Sequence, residues 1–250
     1  MKTLTVFLVV LSAQLCYAQE LTVAAAADLQ FAMQDIATQF QKQSGTSVRV
    51  SYGSSGNFYQ QLQNGAPFDL FFSANVDYAR KLESAGLTEP GSLYPYATGK
   101  IVLWVPQESK VDVSAGLAAL LDPAIKKVAI ANPAHAPYGQ AAVAALKREG
   151  LYDQVAGKLV MGENISQAAS FVASGAADAG IVALSLAVSQ NMKDKGRYFE
   201  IPVSDYPAIE QACVILKSAK DKEAAKKFLE FVKSPAAREI LAKYGFGAGQ

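Results

Sequence analysis

The sequence predicts an α/β fold of two lobes built on mostly parallel sheets. Three observations carry this expectation. Short apolar runs alternate with stretches of helical periodicity along most of the chain. Two further apolar runs come late, as strands of a return path, so that the chain crosses twice between the lobes. The 250 residues are 51% hydrophobic, enough to fill a core without staples. This layout assigns residues 19–101 and 208–250 to lobe I and residues 102–207 to lobe II.

The first segment stands apart. Met1-Lys2, the apolar run from Leu4 to Leu11 and the small-residue exit Cys16-Tyr17-Ala18 read as a secretory signal peptide cleaved after Ala18. The run is too short to span a membrane, and Gln14-Leu15 occupy the places where small residues precede a lipidated cysteine. The mature chain is therefore expected to be soluble and exported.

Leu21 to Ala25 is a buried strand. Leu29, Met33, Ile36 and Phe40 then recur at helical spacing until Ser44-Gly45 stops the helix. Val48, Val50 and Tyr52 alternate as a strand, and a helix from Ser55 turns Phe58 and Leu62 inward and ends at Gly65. Asp69 to Ser73 is a third strand, after which Asn75 caps a helix through Leu82 to Gly86. The pattern is looser from Glu89-Pro90-Gly91 to Gly99. Beyond it, Ile101 to Val105, Lys127 to Ala131, Lys158 to Met161 and Ala179 to Val182 read as strands. Helices are expected near Ser114 to Leu121, Gly139 to Gly150 and Ser166 to Ser174. Phe199 to Pro202 and Ala212 to Leu216 are the return strands, and helices over Asp221 to Lys233 and Pro235 to Tyr244 close the chain.

Charge and cysteine content narrow the function. The 23 Lys and Arg face 22 Asp and Glu, and loss of Lys2 with the signal leaves 22 against 22. Nucleic acid binding needs a basic field to displace counterions, which this balance does not supply. Cys16 leaves with the signal, so Cys213, within Ala212-Cys213-Val214-Ile215-Leu216, is expected to be a buried inert thiol.

Two turns carry the chemistry. Ala27-Asp28-Leu29 and Gly53-Ser54-Ser55-Gly56-Asn57 each follow a strand and open a helix, which points free backbone N–H groups outward beside small polar side chains. Helix N-termini of this kind bind oxyanions. Neither turn holds Lys or Arg, so dipoles and hydroxyls would meet the ligand's charge. Ligands of α/β folds sit at the carboxyl ends of strands. His135, the only histidine, cannot alone make an ordinary metal site. Gly53-Ser54-Ser55-Gly56 is not the nucleophile elbow Gly-x-Ser-x-Gly, and no enzyme activity and no cofactor are expected.

Four segments together resemble a known family. They are Leu21-Thr22-Val23-Ala24-Ala25-Ala26-Ala27-Asp28-Leu29, Ser51-Tyr52-Gly53-Ser54-Ser55-Gly56-Asn57-Phe58, Gly65-Ala66-Pro67-Phe68-Asp69-Leu70-Phe71-Phe72-Ser73-Ala74 and the closing Tyr244-Gly245-Phe246. In this order and spacing they resemble the periplasmic molybdate-binding proteins of ABC importers, over nearly the whole mature chain. The resemblance implies a two-lobed periplasmic binding protein, type II-like, with its ligand cleft between the lobes. Such a protein closes over a tetrahedral dianion, molybdate or tungstate, and delivers it to a membrane permease. It implies a monomer in the periplasm, with the oxyanion held through its oxygens and no direct metal ligands.

Carried over residue by residue, the family's first hydroxyl position falls at Asp28, a departure, and its second serine on Ser55. A second-lobe donor falls at Tyr138, within Asn132-Pro133-Ala134-His135-Ala136-Pro137-Tyr138-Gly139. A backbone donor at a helix start falls on Ile165, after Glu163-Asn164. A tyrosine that some members carry falls at Ala183, after Gly180-Ile181-Val182, and Tyr138 is expected to supply that missing hydroxyl. Plainer roles stand beside these: Ser55 as a helix N-cap, Tyr138 as an exposed loop tyrosine, Ile165 as a core side chain.

Asp28 is the awkward member, since a carboxylate beside a dianion costs Coulomb energy. It is expected to cap its helix by turning to the N–H groups of Gln30 or Phe31. The alternative is that it accepts a proton carried by the ligand, as hydrogen phosphate would require. The competing ligands are therefore phosphate and sulfate. The competing classes are a serine hydrolase using His135 as base and an interaction module with no small ligand.

Overall fold

The computed structural model describes residues 20–249, so the signal peptide and its cleavage site lie outside the described residues. In chain order the first half runs β1 (Glu20–Ala26), α1 (Gln30–Ser44), β2 (Ser47–Gly53), α2 (Ser55–Gln63), β3 (Leu70–Ser73), α3 (Val76–Ser84), β4 (Tyr94–Gly99) and β5 (Ile101–Pro106). There follow β6 (Val128–Ala131), α4 (Pro137–Arg148), α5 (Tyr152–Val155), β7 (Leu159–Gly162), α6 (Ile165–Ala173), β8 (Ala179–Ala183), α7 (Leu184–Ala187) and β9 (Gly196–Glu200). The return path is β10 (Ile209–Ile215), α8 (Lys222–Val232), α9 (Pro235–Lys243) and β11 (Gly247–Ala248).

These strands form two sheets, one per lobe. The first has the order β11-β4-β10-β3-β1-β2 and the second β7-β6-β8-β5-β9. Both are mixed. Pairs β1–β2, β1–β3, β6–β7 and β6–β8 are parallel, whereas the strands that neighbour the crossings, β4, β5 and β10, pair antiparallel. The chain leaves the first sheet after Gly99 and enters the second at Ile101, which pairs with Ala183. It returns between Glu200 and Ile209.

β1 is apolar on both faces because both faces are covered. Leu21, Val23 and Ala25 pack with Met33, Ile36 and Phe40 of α1, Phe228 of α8 and Leu241 of α9. Ala24 faces the other way, with Phe58 and Leu62 of α2 and Ala79 and Leu82 of α3. The Phe40 and Phe228 rings meet edge to face with centroids 5.0 Å apart. Each such fully buried Leu or Phe stabilises the lobe by about 1.5–3 kcal/mol. In lobe II, Ile101 to Val105 of β5 share one core with Leu146 of α4 and Val172 of α6.

Helix ends follow the sequence signals. Ser54, Asn75, Asn164, Asp221 and Ser234 each accept a hydrogen bond from a first-turn N–H. α1 stops at Gly45, whose φ of 75° lies in the left-handed region that glycine tolerates. Cys213 is buried, and burial pushes its thiol well above its ordinary range, which suits an inert core residue.

Four expectations need correction. The loose stretch before Gly99 contains β4, a strand in the middle of its sheet. Pro95 is tolerated there because it faces Ala212 at the point where the register of β10 shifts between Gln211 and Ala212. Ser114 to Leu121 is not an α-helix but tight 3₁₀ turns over Val113–Leu121, kinked at Gly116 with φ 65°. α4 begins at Pro137, which suits the first helical position, so Tyr138 lies in its first turn rather than in a loop. The strand expected at Phe199 to Pro202 is centred earlier, as β9.

What this fold does for function is bring strand ends together. The carboxyl ends of the parallel strands β1 and β2, with that of β3, face those of β6 and β7 across the gap between the lobes. Among the described residues, no helix is long and apolar enough to cross a membrane.

Candidate functional site

Four helical starts converge on one small cavity between the lobes. From lobe I come the 3₁₀ turn Ala27–Leu29 that leads into α1, and the start of α2 at Ser55; from lobe II come α4 at Pro137 and α6 at Ile165. The cavity is walled by Ala26 to Asp28, Gly53 to Ser55, Ala74, Ala136 to Tyr138, Asn164 and Ile165. The first N–H groups of a helix have no intrahelical partner, and each α-helix N-terminus carries about half a positive charge. With no Lys or Arg in this wall, these ends are its source of positive potential.

Ser55 is buried at the first position of α2. Its Oγ accepts a hydrogen bond from Ala74 N at 2.9 Å, which leaves its O–H to donate into the cavity. The cap of that helix is instead Ser54, whose Oγ accepts from Asn57 N at 3.4 Å and lies 2.8 Å from His135 Nδ1 of lobe II.

The lobes touch through polar groups around the cavity. Gly56 N donates to His135 O at 2.9 Å. Asn57 Nδ2 donates to Glu163 Oε1, which also lies 3.7 Å from His135 Nε2. Ser166 Oγ donates to Ala27 O at 2.9 Å, and Ser185 Oγ donates to Asp28 O at 2.8 Å. Backbone contact at Gly56 is close enough that a Cβ there would lie 2.6 Å from His135 O. These contacts define a closed arrangement of the two lobes.

Behind Asp28 lies a buried polar network. Asp28 is 1% exposed, and its Oδ2 accepts from Tyr138 O–H at 2.8 Å and from Gln211 Nε2 at 2.7 Å. Gln211 Nε2 also donates to the Tyr138 hydroxyl at 3.0 Å, and Gln211 Oε1 accepts from Tyr96 O–H at 2.6 Å. Asp28 Oδ1 is buried and meets no donor in hydrogen-bonding geometry. Burial raises the Asp28 carboxyl from 3.8 to about 6; the Gln211 and Tyr138 hydrogen bonds, and to a smaller extent the nearby N–H groups of Asp28 and Leu29, pull it back toward the ordinary range. The same burial, with the nearby Asp28 charge, holds the Tyr138 and Tyr96 phenols well above their usual value.

The family of extracellular solute-binding proteins of bacteria matches this chain over residues 21–247. The chain belongs to that family. Among its relatives, the molybdate-binding protein ModA of Azotobacter vinelandii is 43% identical over 234 residues, 93% of this chain and 92% of that protein. The molybdate-binding protein ModA of Rhodobacter capsulatus is 39% identical over 229 residues, 92% of this chain and 88% of that one. The solved structure of the periplasmic molybdate-binding protein of Azotobacter vinelandii superposes with a TM-score of 0.87 at 38% identity, covering 92% of this chain and 100% of that one. Both the two-lobed fold and the molybdate-binding resemblance read in the sequence therefore stand.

In this solute-binding protein the cavity brings together Asp28, Ser55, Tyr138 and Ile165 from four separate helical starts. Ala183 is not in its wall. It ends β8, fully buried, paired with Ile101. Two roles differ from the sequence reading. Asp28 caps nothing: no side-chain cap bond forms at either the 3₁₀ turn or α1, because its carboxylate is drawn inward by Tyr138 and Gln211. Tyr138 is 3% exposed rather than a surface loop residue, and its hydroxyl is taken up by Asp28.

Gln211, Tyr96 and Ser185 were not legible as site residues. Gln211 lies 183 positions from Asp28, in a strand whose polar residue reads as an ordinary alternation. Its one distinguishing signal is a polar side chain at full burial in an apolar strand, which the fold reveals and the sequence does not. Among the described residues, no group of three or more His, Cys, Asp or Glu is placed to hold a metal ion.

Proposed function

We propose that this chain captures a tetrahedral oxyanion, molybdate or tungstate, by hinge closure between its lobes and delivers it to the membrane permease of an ABC importer. The observation that carries this reading is the cavity between the lobes, walled by helix starts and hydroxyls without a cationic side chain. Free helix-start N–H groups and hydroxyls of this kind are the donor set of an anion site. The relatives named molybdate-binding proteins support the choice of anion.

In this reading lobe I donates through Asp28 N–H and the Ser55 hydroxyl, and lobe II through the N–H groups of Tyr138 and Ile165. The Tyr138 phenol, 2.8 Å from Asp28 Oδ2, supports a backbone role for that residue instead of a replacement for the hydroxyl missing at Ala183. Neutral donors suit a fully ionised anion, because a protonated oxygen would set donor against donor. Lobe I is assigned residues 19–101 and 208–250 and lobe II residues 102–207, with the Ile101–Ala183 pair favouring a crossing one residue earlier. The mature protein begins after Ala18 and works as a periplasmic monomer, with no cofactor and no nucleic acid partner.

A hydrolase has one observation in its favour, the 2.8 Å approach of Ser54 Oγ to His135 Nδ1. A base needs a third group to orient it. Glu163 is 3.7 Å from the other ring nitrogen and is engaged by Asn57. The contact serves better as part of the closure between lobes, and the protein is no enzyme in this reading. Calorimetric titration with molybdate, tungstate, sulfate and phosphate tests the proposal: heat is expected with the first two. Heat with phosphate alone would overturn it, and no response to any anion would favour the interaction module.

A further inference from the structure

One buried oxygen in the cavity wall has no use in the scheme above. Asp28 lines the cavity, yet its Oδ1 meets no donor while its Oδ2 already accepts two. A proton added to this carboxyl therefore goes to Oδ1, and there it converts an unpaired acceptor into a donor. Ionised, this carboxyl would lie beside a dianion in a site from which closure excludes water. We propose that oxyanion binding takes up one proton from solution onto Asp28 Oδ1, so that the bound form holds Asp28 as a neutral acid donating toward the ligand. This inference rests on the oxyanion-binding reading and names the residue that makes it conditional on pH.

The surroundings supply no cationic group that would neutralise the carboxylate. From β4 the nearby group is Tyr96, from α4 Tyr138, from β10 Gln211, and from α7 Ser185, whose hydroxyl donates to the Asp28 carbonyl. From α2 and α6 the wall offers Ser55 and Ile165. His135 sits just before α4, but its ring contacts Ser54 and Glu163. Both phenols are held well above their ordinary value and stay neutral. In the closed arrangement burial lifts Asp28 to about 6. A dianion placed beside it repels the ionised form and lifts it further.

The sign follows from linkage. At a pH low enough for Asp28 to be protonated before the lobes close, affinity is flat. At higher pH, up to the bound-state pKa, each binding event must take a proton, so Kd rises by up to about tenfold per pH unit. Molybdate itself stays a dianion from about pH 6 upward, so the slope would belong to the protein.

The experiment is titration of the purified mature protein with molybdate from about pH 5.5 to 8.5, in buffers of different ionisation heat. Expected are a Kd that weakens as pH rises and, near pH 8, uptake approaching one proton per molybdate. Asp28→Asn, which keeps an acceptor for Tyr138 and Gln211 and a donor toward the cavity, should flatten the profile and bind more tightly than wild type near pH 8. His135→Asn should keep the slope. Molybdate heat with no proton uptake and a flat wild-type profile would overturn the inference alone. So would an unchanged slope in Asp28→Asn, or its loss in His135→Asn. Absence of heat with every oxyanion at every pH would instead overturn the proposed function itself.

Discussion

Asp28 and Ser55 occupy equivalent places and are treated in opposite ways. Each sits at the carboxyl end of a parallel strand of the same sheet, β1 or β2, where the chain turns into a helix, and each walls the same cavity. Ser55 takes its one acceptor partner from within its own lobe, Ala74 N, and keeps its proton free. Asp28 is held by a side chain from lobe II, Tyr138, and by one from the return strand, Gln211. One turn is thus complete within its lobe; the other is complete only when lobe II is in place. That difference separates a permanent donor from a conditional one, and substitutions at and beside the two turns can break or sharpen it.

The largest effect is expected at Gly56, beside the self-contained turn. Its N–H donates to His135 O, and an added Cβ would lie 2.6 Å from that oxygen. Its φ is not positive, so alanine fits the helix and the isolated lobe is unharmed. Gly56→Ala should therefore oppose closure by roughly 3–4 kcal/mol from overpacking and a lost hydrogen bond, several hundredfold in Kd. Thermal unfolding of the ligand-free protein should be unchanged or slightly raised. An unaltered molybdate Kd would mean that the lobes close some other way.

Next in size is the stability effect of Asp28→Asn on the closed arrangement. There the carboxyl lies at about 6 against an ordinary 3.8, so the closed folded state holds the proton more tightly. The stability this gives is fully present below about pH 3.8 and is lost as pH rises through 6, leaving an ionised buried group above that. Asp28→Asn should accordingly be more stable than wild type by about 3 kcal/mol at pH 8 and by much less at pH 4. Urea midpoints at the two pH values check it; an advantage that is the same at both would remove the titration of Asp28 from the comparison.

How far the sequence reached follows the same divide. Most strand ends and helix starts were legible, because strand alternation, Ser, Asn and Asp caps and glycine stops are local signals. So was the position of Ser55. The partners of Asp28 were not, since Tyr138 and Gln211 lie 110 and 183 residues away. A free carboxylate before a helix defaults to a cap, and only burial among distant donors turns it inward. β4 was lost for a similar reason: Pro95 argues against an inner strand until the register shift in β10, far along the chain, makes room for it.

Ser55→Ala comes third. The hydroxyl it removes leaves a charged ligand oxygen without a donor, which costs about 2 kcal/mol, or some thirtyfold in Kd. Because Ser55 Oγ also accepts from Ala74 N, a modest loss of stability accompanies it. The comparison is sharpened by pH: the loss in Ser55→Ala should be the same near pH 6 and pH 8, because no proton is involved. A loss confined to one pH would place Ser55 in the conditional half of the site.

The smallest binding effect is expected from Tyr138→Phe, and it separates the two roles open to that residue. If the phenol reached the anion, its removal would match Ser55→Ala. In the structure the O–H instead donates to Asp28 Oδ2 at 2.8 Å and accepts from Gln211, while the N–H at the second position of α4 stays outside the helix's own ladder. Phenylalanine keeps that N–H and the ring packing, so molybdate affinity near pH 6 should fall by less than about 1 kcal/mol. The same substitution strips one of the two side-chain donors that hold the carboxylate ionised, and the Asp28 pKa should move up from about 6. A thirtyfold loss near pH 6 would instead return the hydroxyl to the ligand and make Tyr138 the lobe II counterpart of Ser55.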